Sequence, residues 1–134
     1  MRRREPRLLN GRMSALTDYI AAWKTNDTER IVETVTEDVV ITESFGPVYY
    51  GRERVREWCE KWNEQGSRVL DWTISNEFQN GDQLVAEWRF EYHQDGADHS
   101  FLGATIATQR DGRIAELREY AVTDDLYTWE GEWK

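Results

Sequence analysis

Three side chains in this sequence have the chemistry of an acid–base site: Tyr19, Glu43 and Glu119. A carboxyl group in apolar surroundings has its pKa raised towards neutrality, while a phenol can donate a hydrogen bond to an oxygen that gains negative charge. Tyr19 shares one helical face with Ile20 and Trp23, so its side chain is expected to point inward. In the last predicted strand, Glu119 falls at the alternate positions whose residues are expected to face inward. The alternative interpretations are a core tyrosine with a satisfied hydroxyl and solvated glutamates near strand ends.

Tryptophan is unusually frequent, with seven residues in a chain of 134. Five of them fall on predicted inward faces, together with Phe90: Trp23, Trp58, Trp62, Trp72 and Trp88. These rings form either a dense core or the wall of a narrow cavity suited to a planar or cyclic apolar ligand. Trp129 and Trp133 lie beyond the last predicted strand. We expect them to dock on the cavity mouth, on the back of the sheet or on a partner subunit.

The sequence contains no evident metal or cofactor motif. His93 and His99 flank a turn beside Asp98, but a third ligand is missing, so we predict a surface loop and no metal. The sequence has no Gly-rich phosphate loop, nucleophile elbow or Cys-x-x-Cys pair, and no cofactor is expected. Cys59 is the only cysteine and lies on an apolar helical face. An intrachain disulfide is therefore excluded, which fits a reducing compartment.

Charge is distributed unevenly along the chain. The net charge is −9, from 17 basic and 26 acidic residues. Five arginines and one glutamate fall in residues 1–12, so residues 13–134 keep 12 basic against 25 acidic residues. Such an acidic body repels phosphate backbones and anionic lipid, so nucleic acid and membranes are not expected partners. We predict a disordered basic leader over residues 1–12 and one domain over 13–134, with the cytoplasm as its location.

The elements that must position these residues divide into helices and then strands. Leu16, Tyr19, Ile20 and Trp23 mark a first helix, and Asn26 with Glu29 predicts a capping box for a second. A short strand is predicted from Val39 to Thr42, followed by a loop at Gly46-Pro47. A third helix is predicted from Gly51 to Gly66, because Val55, Trp58, Cys59 and Trp62 repeat the helical spacing.

From Val69 onward the apolar residues alternate with a period of two, which predicts strands. In the first of these strands the pattern groups Leu70, Trp72, Ile74 and Phe78 on one face. Asn80-Gly81, Asp95-Gly96 and Asp111-Gly112 mark three chain reversals. The result is an α+β domain in which three N-terminal helices pack in a strongly curved, mostly antiparallel sheet, a cone-shaped α+β barrel. A cone has an apolar interior and an open end, where a small-molecule pocket can form.

The order of these parts resembles the nuclear transport factor 2-like superfamily, which includes ketosteroid isomerases and SnoaL-type polyketide cyclases. The segments that carry the resemblance are an amphipathic helix ending in Asn26-Asp27, a strand ending in Glu43-Ser44-Phe45-Gly46, and Gly51-Arg52-Glu53. The resemblance extends from about Ser14 to Val122. It implies a homodimer through the outer sheet face, where Arg118 and Tyr120 are expected to supply polar and aromatic contacts.

The resemblance also implies roles for single residues. Tyr19 stands where the isomerases keep a hydrogen-bond-donating tyrosine, and Glu43 stands where they keep the aspartate that moves the proton. Two positions depart from the isomerase pattern. Thr105 falls near the position of a second acid, which in the isomerases shares the substrate oxygen with the tyrosine. Cys59 falls at the position of another tyrosine, which supports the hydrogen-bond-donating one. Because an oxyanion site that lacks two donors loses several powers of ten in rate, steroid isomerisation is not expected.

Two functions follow as hypotheses. The first is a cofactor-free isomerase, dehydratase or cyclase that acts on a small apolar carbonyl compound, with Glu43 as general base and Tyr19 as hydrogen-bond donor. The alternative is a non-catalytic module that binds a small apolar or aromatic ligand in the same cone, or only dimerises. The expected ligand-binding residues are Trp23, Trp58, Trp62, Trp88, Phe90, Thr105 and Glu119.

Overall fold

The computed structural model describes residues 14–134, and the predicted basic leader lies outside these described residues. The elements in chain order are α1 (Ala15–Thr25), α2 (Thr28–Val32), β1 (Val35–Thr42), β2 (Val48–Tyr50), α3 (Arg52–Glu64), β3 (Arg68–Asn80), β4 (Gln83–Gln94), β5 (Ala97–Arg110) and β6 (Arg113–Ala121). None of the helices within residues 14–134 has the length and apolar content needed to cross a membrane.

The six strands form one sheet in the order β2-β1-β6-β5-β4-β3. All neighbouring strands are antiparallel except β1 and β6, which run parallel. The sheet is curved and does not close, and the helices pack against it. This arrangement confirms the predicted α+β class, with three helices before a mostly antiparallel meander.

The junction between α1 and α2 differs from the prediction. Asn26 does not cap α2; it ends α1 in the left-handed conformation, with φ of 57°. Asn tolerates this conformation because its short polar side chain can bond locally. Here the amide of Asn26 instead pairs with the backbone of Val69, accepting from its N–H at 2.8 Å and donating to its carbonyl at 3.2 Å. Asp27 takes the capping role, since its carboxylate accepts from the N–H groups of Glu29 and Arg30.

The strands also differ from the prediction in two places. Residues 48–50 form β2, a three-residue strand that pairs with the end of β1 and that no periodic pattern could reveal. In β3, irregularities after Val69 and after Ile74 break the alternation. The prediction that Leu70 and Phe78 share the inward face of Trp72 is therefore wrong, because they are 47% and 53% exposed while Trp72 is buried.

The core lies between α1, α3 and the concave face of the sheet. Tyr19 and Trp23 of α1 and Cys59 of α3 are buried there, beside Trp72 and Trp88 of the sheet. Trp58 and Trp62 are half-buried at the edge of this cluster. The inward stripes predicted from the helical spacing are therefore the stripes that form the core.

The tail after β6 contains no helix or strand. Trp129 and Trp133 pack on each other with ring centroids 5.4 Å apart, and they are 53% and 81% exposed. Neither tryptophan is among the residues that line the cavity described below. Docking on a partner subunit stays a prediction.

Candidate active site

The parallel pairing of β1 with β6 brings two glutamates together. Thr42 is paired with Arg118, so the next residues along the two strands, Glu43 and Glu119, are neighbours. A turn holds the backbone of Glu43, whose N–H donates to the carbonyl of Pro47 at 2.9 Å and whose carbonyl accepts from the N–H of Gly46 at 3.2 Å. Gly46 has a φ of +123°, which favours glycine in this turn. Both glutamates are buried, with 9% and 8% of their surface exposed.

Burial makes the two carboxyl groups weak acids. The pKa of Glu43 is raised well above its usual value by burial, by the negative charge of Glu119 and by its hydrogen bond to Glu119. The pKa of Glu119 is also raised by burial, while hydrogen bonds from Glu43 and Thr105 oppose that rise. Two neighbouring carboxylates cannot both ionise cheaply in such a place, so burial and their mutual repulsion favour a state in which the pair shares a proton.

Tyr19 presents a phenol to this pair. Its side chain is fully buried, and its ring makes edge-to-face contacts with Trp23 and Trp72 at 6.3 and 6.2 Å between centroids. Burial raises the pKa of the Tyr19 phenol, and the charges of Glu119 and Glu43 raise it further. The smallest contribution comes from the Trp23 indole, which lowers the pKa of Tyr19. The Tyr19 hydroxyl has no hydrogen-bond partner of ordinary geometry among residues 14–134. The phenol therefore stays protonated and is a donor in need of an acceptor.

Behind Glu119, the buried Thr105 joins β5 to the site. Thr105 is directly opposite Glu119 across the β5–β6 ladder, and its hydroxyl lies 3.4 Å from Glu119 Oε2. The same hydroxyl accepts the indole N–H of Trp88 at 2.8 Å. Gly103 makes room for this arrangement, since a Cβ on Gly103 would come within 2.5 Å of the Trp88 ring. Thr105 is fully buried and is not among the residues that line the cavity, in contrast to the sequence prediction.

A cavity of about 830 Å³ opens beside the carboxyl pair. Its wall contains every predicted site residue except Thr105: Tyr19, Trp23, Glu43, Trp58, Trp62, Trp88, Phe90 and Glu119. The rings are tightly packed, with Trp23 at 4.8 Å from Trp58 and perpendicular to Trp62 at 6.2 Å. Exposed side chains such as Phe45 and Arg54 also line this space and mark its opening to solvent.

The cavity wall carries indole N–H groups that lack a partner. The buried N–H groups of Trp23, Trp62 and Trp72 have no acceptor among the described residues. Indole N–H groups only donate, and a buried donor without an acceptor costs free energy. With the Tyr19 hydroxyl, four residues of the wall therefore hold polar hydrogens that the protein itself does not satisfy.

Sequence reasoning missed Tyr49, Tyr92 and Phe101 in the wall and did not assign Trp72 to the site. Tyr49 stacks on Trp58 with centroids 4.3 Å apart and planes 8° from parallel. Burial, followed by the charges of Glu43 and Cys59, raises the pKa of Tyr49 to about 12. Tyr49 belongs to the short strand β2, which has no periodic signal. The alternation Phe90–Tyr92 was the available signal for Tyr92.

The histidines lie away from the cavity centre. His93 Nδ1 is 2.6 Å from a carboxylate oxygen of Asp98, and the His99 ring stacks on Tyr92 at 5.1 Å. Over residues 14–134, no three His, Cys, Asp or Glu side chains are grouped as a metal site. The site chemistry described so far rests on the carboxyl pair and the phenol.

The helices inside a curved sheet and the cavity at its open end are those of the cone-shaped nuclear transport factor 2-like class. Within that class, residues 16–117 match the family model of the SnoaL-like domain. The chain therefore belongs to the SnoaL-like domain family. No curated protein sequence matches this chain.

Similar solved structures include a hypothetical protein of ketosteroid isomerase-like fold from Catenulispora acidiphila, in complex with trimethylamine. It is 21% identical, with a TM-score of 0.71 over 79% of this chain and 83% of that one. An LEH-like epoxide hydrolase of M. tuberculosis is 16% identical, with a TM-score of 0.73 over 81% and 80%. A candidate polyketide cyclase of Xanthomonas campestris is 19% identical, with a TM-score of 0.64 over 79% and 86%. At these identities the likeness concerns the fold.

Proposed function

We propose that this protein is a cofactor-free enzyme that moves a proton on a small, mainly apolar carbonyl compound. The observation that carries the proposal is the buried pair Glu43–Glu119 beside the unpartnered hydroxyl of Tyr19, on one wall of an aromatic cavity. Strongly perturbed carboxyl groups in a cleft are the usual sign of acid–base function. Structural stabilisation alone does not account for them, because a buried carboxyl pair is costly to the fold.

The chemistry of the site divides into three steps. One carboxylate takes a proton from the carbon next to the carbonyl, and the electrons of the broken C–H bond move to form an enolate. Tyr19 donates a hydrogen bond to the enolate oxygen, where the negative charge develops. The protonated carboxyl then returns a proton to another carbon, which is isomerisation, or to a departing hydroxyl, which leaves as water and completes a dehydration. A cyclase uses the same enolate as a carbon nucleophile.

The wall favours a ligand that carries oxygen on an apolar frame. Trp, Tyr and Phe rings supply the apolar surface, and the free N–H groups of Trp23, Trp62 and Trp72 require acceptors. Carbonyl and ether oxygens accept hydrogen bonds without adding charge to a buried site. A planar or cyclic oxygenated compound therefore satisfies more of this wall than a hydrocarbon does.

A direct test is exchange of carbonyl-adjacent hydrogens in heavy water, followed by proton NMR. The probes are a cyclohexenone, a cyclic diketone and an aromatic β-keto ester. Wild type should exchange at least one probe faster than buffer does, and the double variant Glu43→Gln/Glu119→Gln should lose that excess rate because neither amide can exchange a proton with carbon. Glu116→Gln is the matched control, an exposed glutamate on the same strand as Glu119. Exchange that is equal in wild type and the double variant would refute the proposal.

A second candidate is a non-catalytic receptor for a small organic cation. Trp faces attract alkylammonium groups, the carboxyl pair can supply a counter-charge, and a similar fold has been solved with trimethylamine. A cation would favour the ionised pair, so its binding should release a proton. Calorimetry with trimethylammonium chloride in two buffers of different ionisation enthalpy measures that release. Binding with proton release and no exchange activity would favour this candidate over the enzyme.

A further inference from the structure

We propose that the resting proton of the carboxyl pair lies on Glu43, and that a buried chain running from Trp88 through Thr105 to Glu119 places it there. Glu119 is then the ionised member and the general base, and Glu43 is the acid. Thr105 and Trp88 are positioning residues, since Thr105 touches Glu119 from behind the cavity wall. The roles as base and acid rest on the proposed function, whereas the position of the proton does not.

The first step is the direction of the hydrogen bonds. The Trp88 indole can only donate, so its N–H gives its proton to the Thr105 hydroxyl oxygen at 2.8 Å. The Thr105 hydroxyl has one proton of its own, and the oxygen within reach is Glu119 Oε2 at 3.4 Å. Trp88, Thr105 and Glu119 are at most 8% exposed. The chain therefore presents a donor to Glu119.

The second step is the asymmetry between the two glutamates. A carboxyl that accepts hydrogen bonds is favoured in its ionised form. Glu119 accepts from the Thr105 hydroxyl, and this contact holds its pKa down against the effect of burial. Glu43 receives only the lesser contribution of the Ser44 backbone, and its own contact with Glu119 raises its pKa. Thr105 therefore stabilises the ionised form of Glu119 from outside the pair, which assigns the shared proton to Glu43.

The other groups around the pair do not reverse this order. The titratable groups whose charges couple to the site from the neighbouring elements are Tyr19 of α1, Tyr49 of β2 and Cys59 of α3. Burial raises the pKa of Tyr49 and of the Cys59 thiol to about 12, and it raises that of Tyr19, so all three are neutral at neutral pH. The charged residues of the cavity wall lie on α3: Arg54, Glu57 and Lys61.

Carbon-13 NMR tests the position of the proton without any substrate. The full chain is labelled at the side-chain carboxyl carbon of glutamate, and the two resonances are assigned from their loss in Glu43→Gln and Glu119→Gln. In wild type, lowering the pH from neutrality should leave the Glu43 resonance at its protonated position while that of Glu119 moves from the carboxylate position. The reverse order, with Glu43 ionised and Glu119 protonated at neutral pH, would overturn the proposal.

The chain from Trp88 to Glu119 is tested with variants of its middle member. Thr105→Val removes the hydroxyl and should move the titration of Glu119 to higher pH, while Thr105→Ser should restore the wild-type titration. Should Thr105→Val fail to fold, Trp88→Phe deletes the orienting N–H and should move Glu119 in the same direction by less. A Glu119 titration that is unchanged when the hydroxyl or the indole N–H is removed would refute the role of the chain.

These outcomes are separable from those of the exchange assay. If the proton lies on Glu43 but no probe exchanges its hydrogens, the proposed function fails and the inferred proton position stands. If exchange occurs and the NMR order is reversed, the proposed function stands and this inference fails. An additional kinetic readout is available in the first assay: Thr105→Val should shift the lower limb of the pH–rate profile to higher pH, since Glu119 must be ionised to act as base.

Discussion

Replacing Glu43 by glutamine should change how the stability of the protein depends on pH. Burial raises the pKa of both Glu43 and Glu119 above the ordinary glutamate value of 4.5. The folded pair therefore keeps a proton over a pH range in which the unfolded chain has already lost it. Unfolding releases that proton, so the free energy of unfolding falls as pH rises from the unfolded pKa towards the folded pKa. Glu43→Gln leaves only one carboxyl group, Glu119, and so removes the repulsion between two carboxylates that favours the shared proton.

The magnitude follows from the count of one proton. A difference of one bound proton gives a slope of about 1.4 kcal/mol per pH unit. Between the unfolded and the folded pKa, wild type should therefore lose up to about 1.4 kcal/mol more stability per pH unit than Glu43→Gln does. The free energy of unfolding at each pH is measured by urea unfolding monitored by tryptophan fluorescence, because the buried Trp23, Trp72 and Trp88 report on the core. Comparing the two proteins cancels the contribution of groups outside the site.

Glu116→Gln is the control, because Glu116 lies on β6 with its side chain half exposed and leaves the buried pair intact. Its stability should fall with pH as steeply as that of wild type. Parallel curves for wild type and Glu43→Gln would show that the folded pair carries no extra proton. The account of the site as a proton-sharing dyad would then be wrong.

Three further predictions concern single positions and assembly. Gly103→Ala should destabilise the protein by about 1–3 kcal/mol in urea unfolding, since the new Cβ would meet both the Trp88 ring and the Tyr120 carbonyl at 2.5 Å. The control is Gly96→Ala, at a turn with open space around the Cβ but a φ of +77°, which should show only backbone strain. A Gly103→Ala variant as stable as wild type would contradict the placement of Trp88. Tyr19→Phe should slow hydrogen exchange on a responsive probe by about 10²-fold, as expected for the loss of one oxyanion donor. The Tm of this variant should not fall, because the Tyr19 hydroxyl has no partner among the described residues. A clear fall in Tm would indicate that the hydroxyl has a structural role instead. Light scattering at micromolar concentration should give the mass of a homodimer. Tyr120→Glu should weaken the dimer, since Tyr120 is 54% exposed on the outer sheet face. A monomer mass for wild type would exclude this interface.

Periodicity in the sequence was sufficient for the elements and for part of the site. The helical spacing of Leu16, Tyr19, Ile20 and Trp23 predicts the face of α1 that is buried, because a helix sorts its residues by a local repeat. The alternation around Leu117 likewise predicts that Glu119 points inward. Such patterns depend only on neighbours in the chain, so they can be read without knowing the fold.

Local sequence patterns fail where a contact with a distant segment decides how a residue is used. Asn26 reads as a helix cap, but in the folded chain its amide bonds the backbone of Val69 and Asp27 caps α2. Leu70 reads as inward, but irregular pairing with β4 turns it outward. In each case a contact between distant segments overrides the local preference.

The sequence by itself determined the α+β class, the inward faces of the helices and the candidates Tyr19, Glu43 and Glu119. The tertiary structure alone decided that Glu43 and Glu119 are neighbours, because they meet through the parallel pairing of the first strand with the last. It also joined Thr105 to Trp88 and Glu119, since the Trp88 ring lies against Gly103, where a Cβ would come within 2.5 Å of it. Strand pairing and ring packing are non-local, and the pKa of a carboxyl depends on what surrounds it in space. The chemistry of this site is therefore a property of the folded sheet.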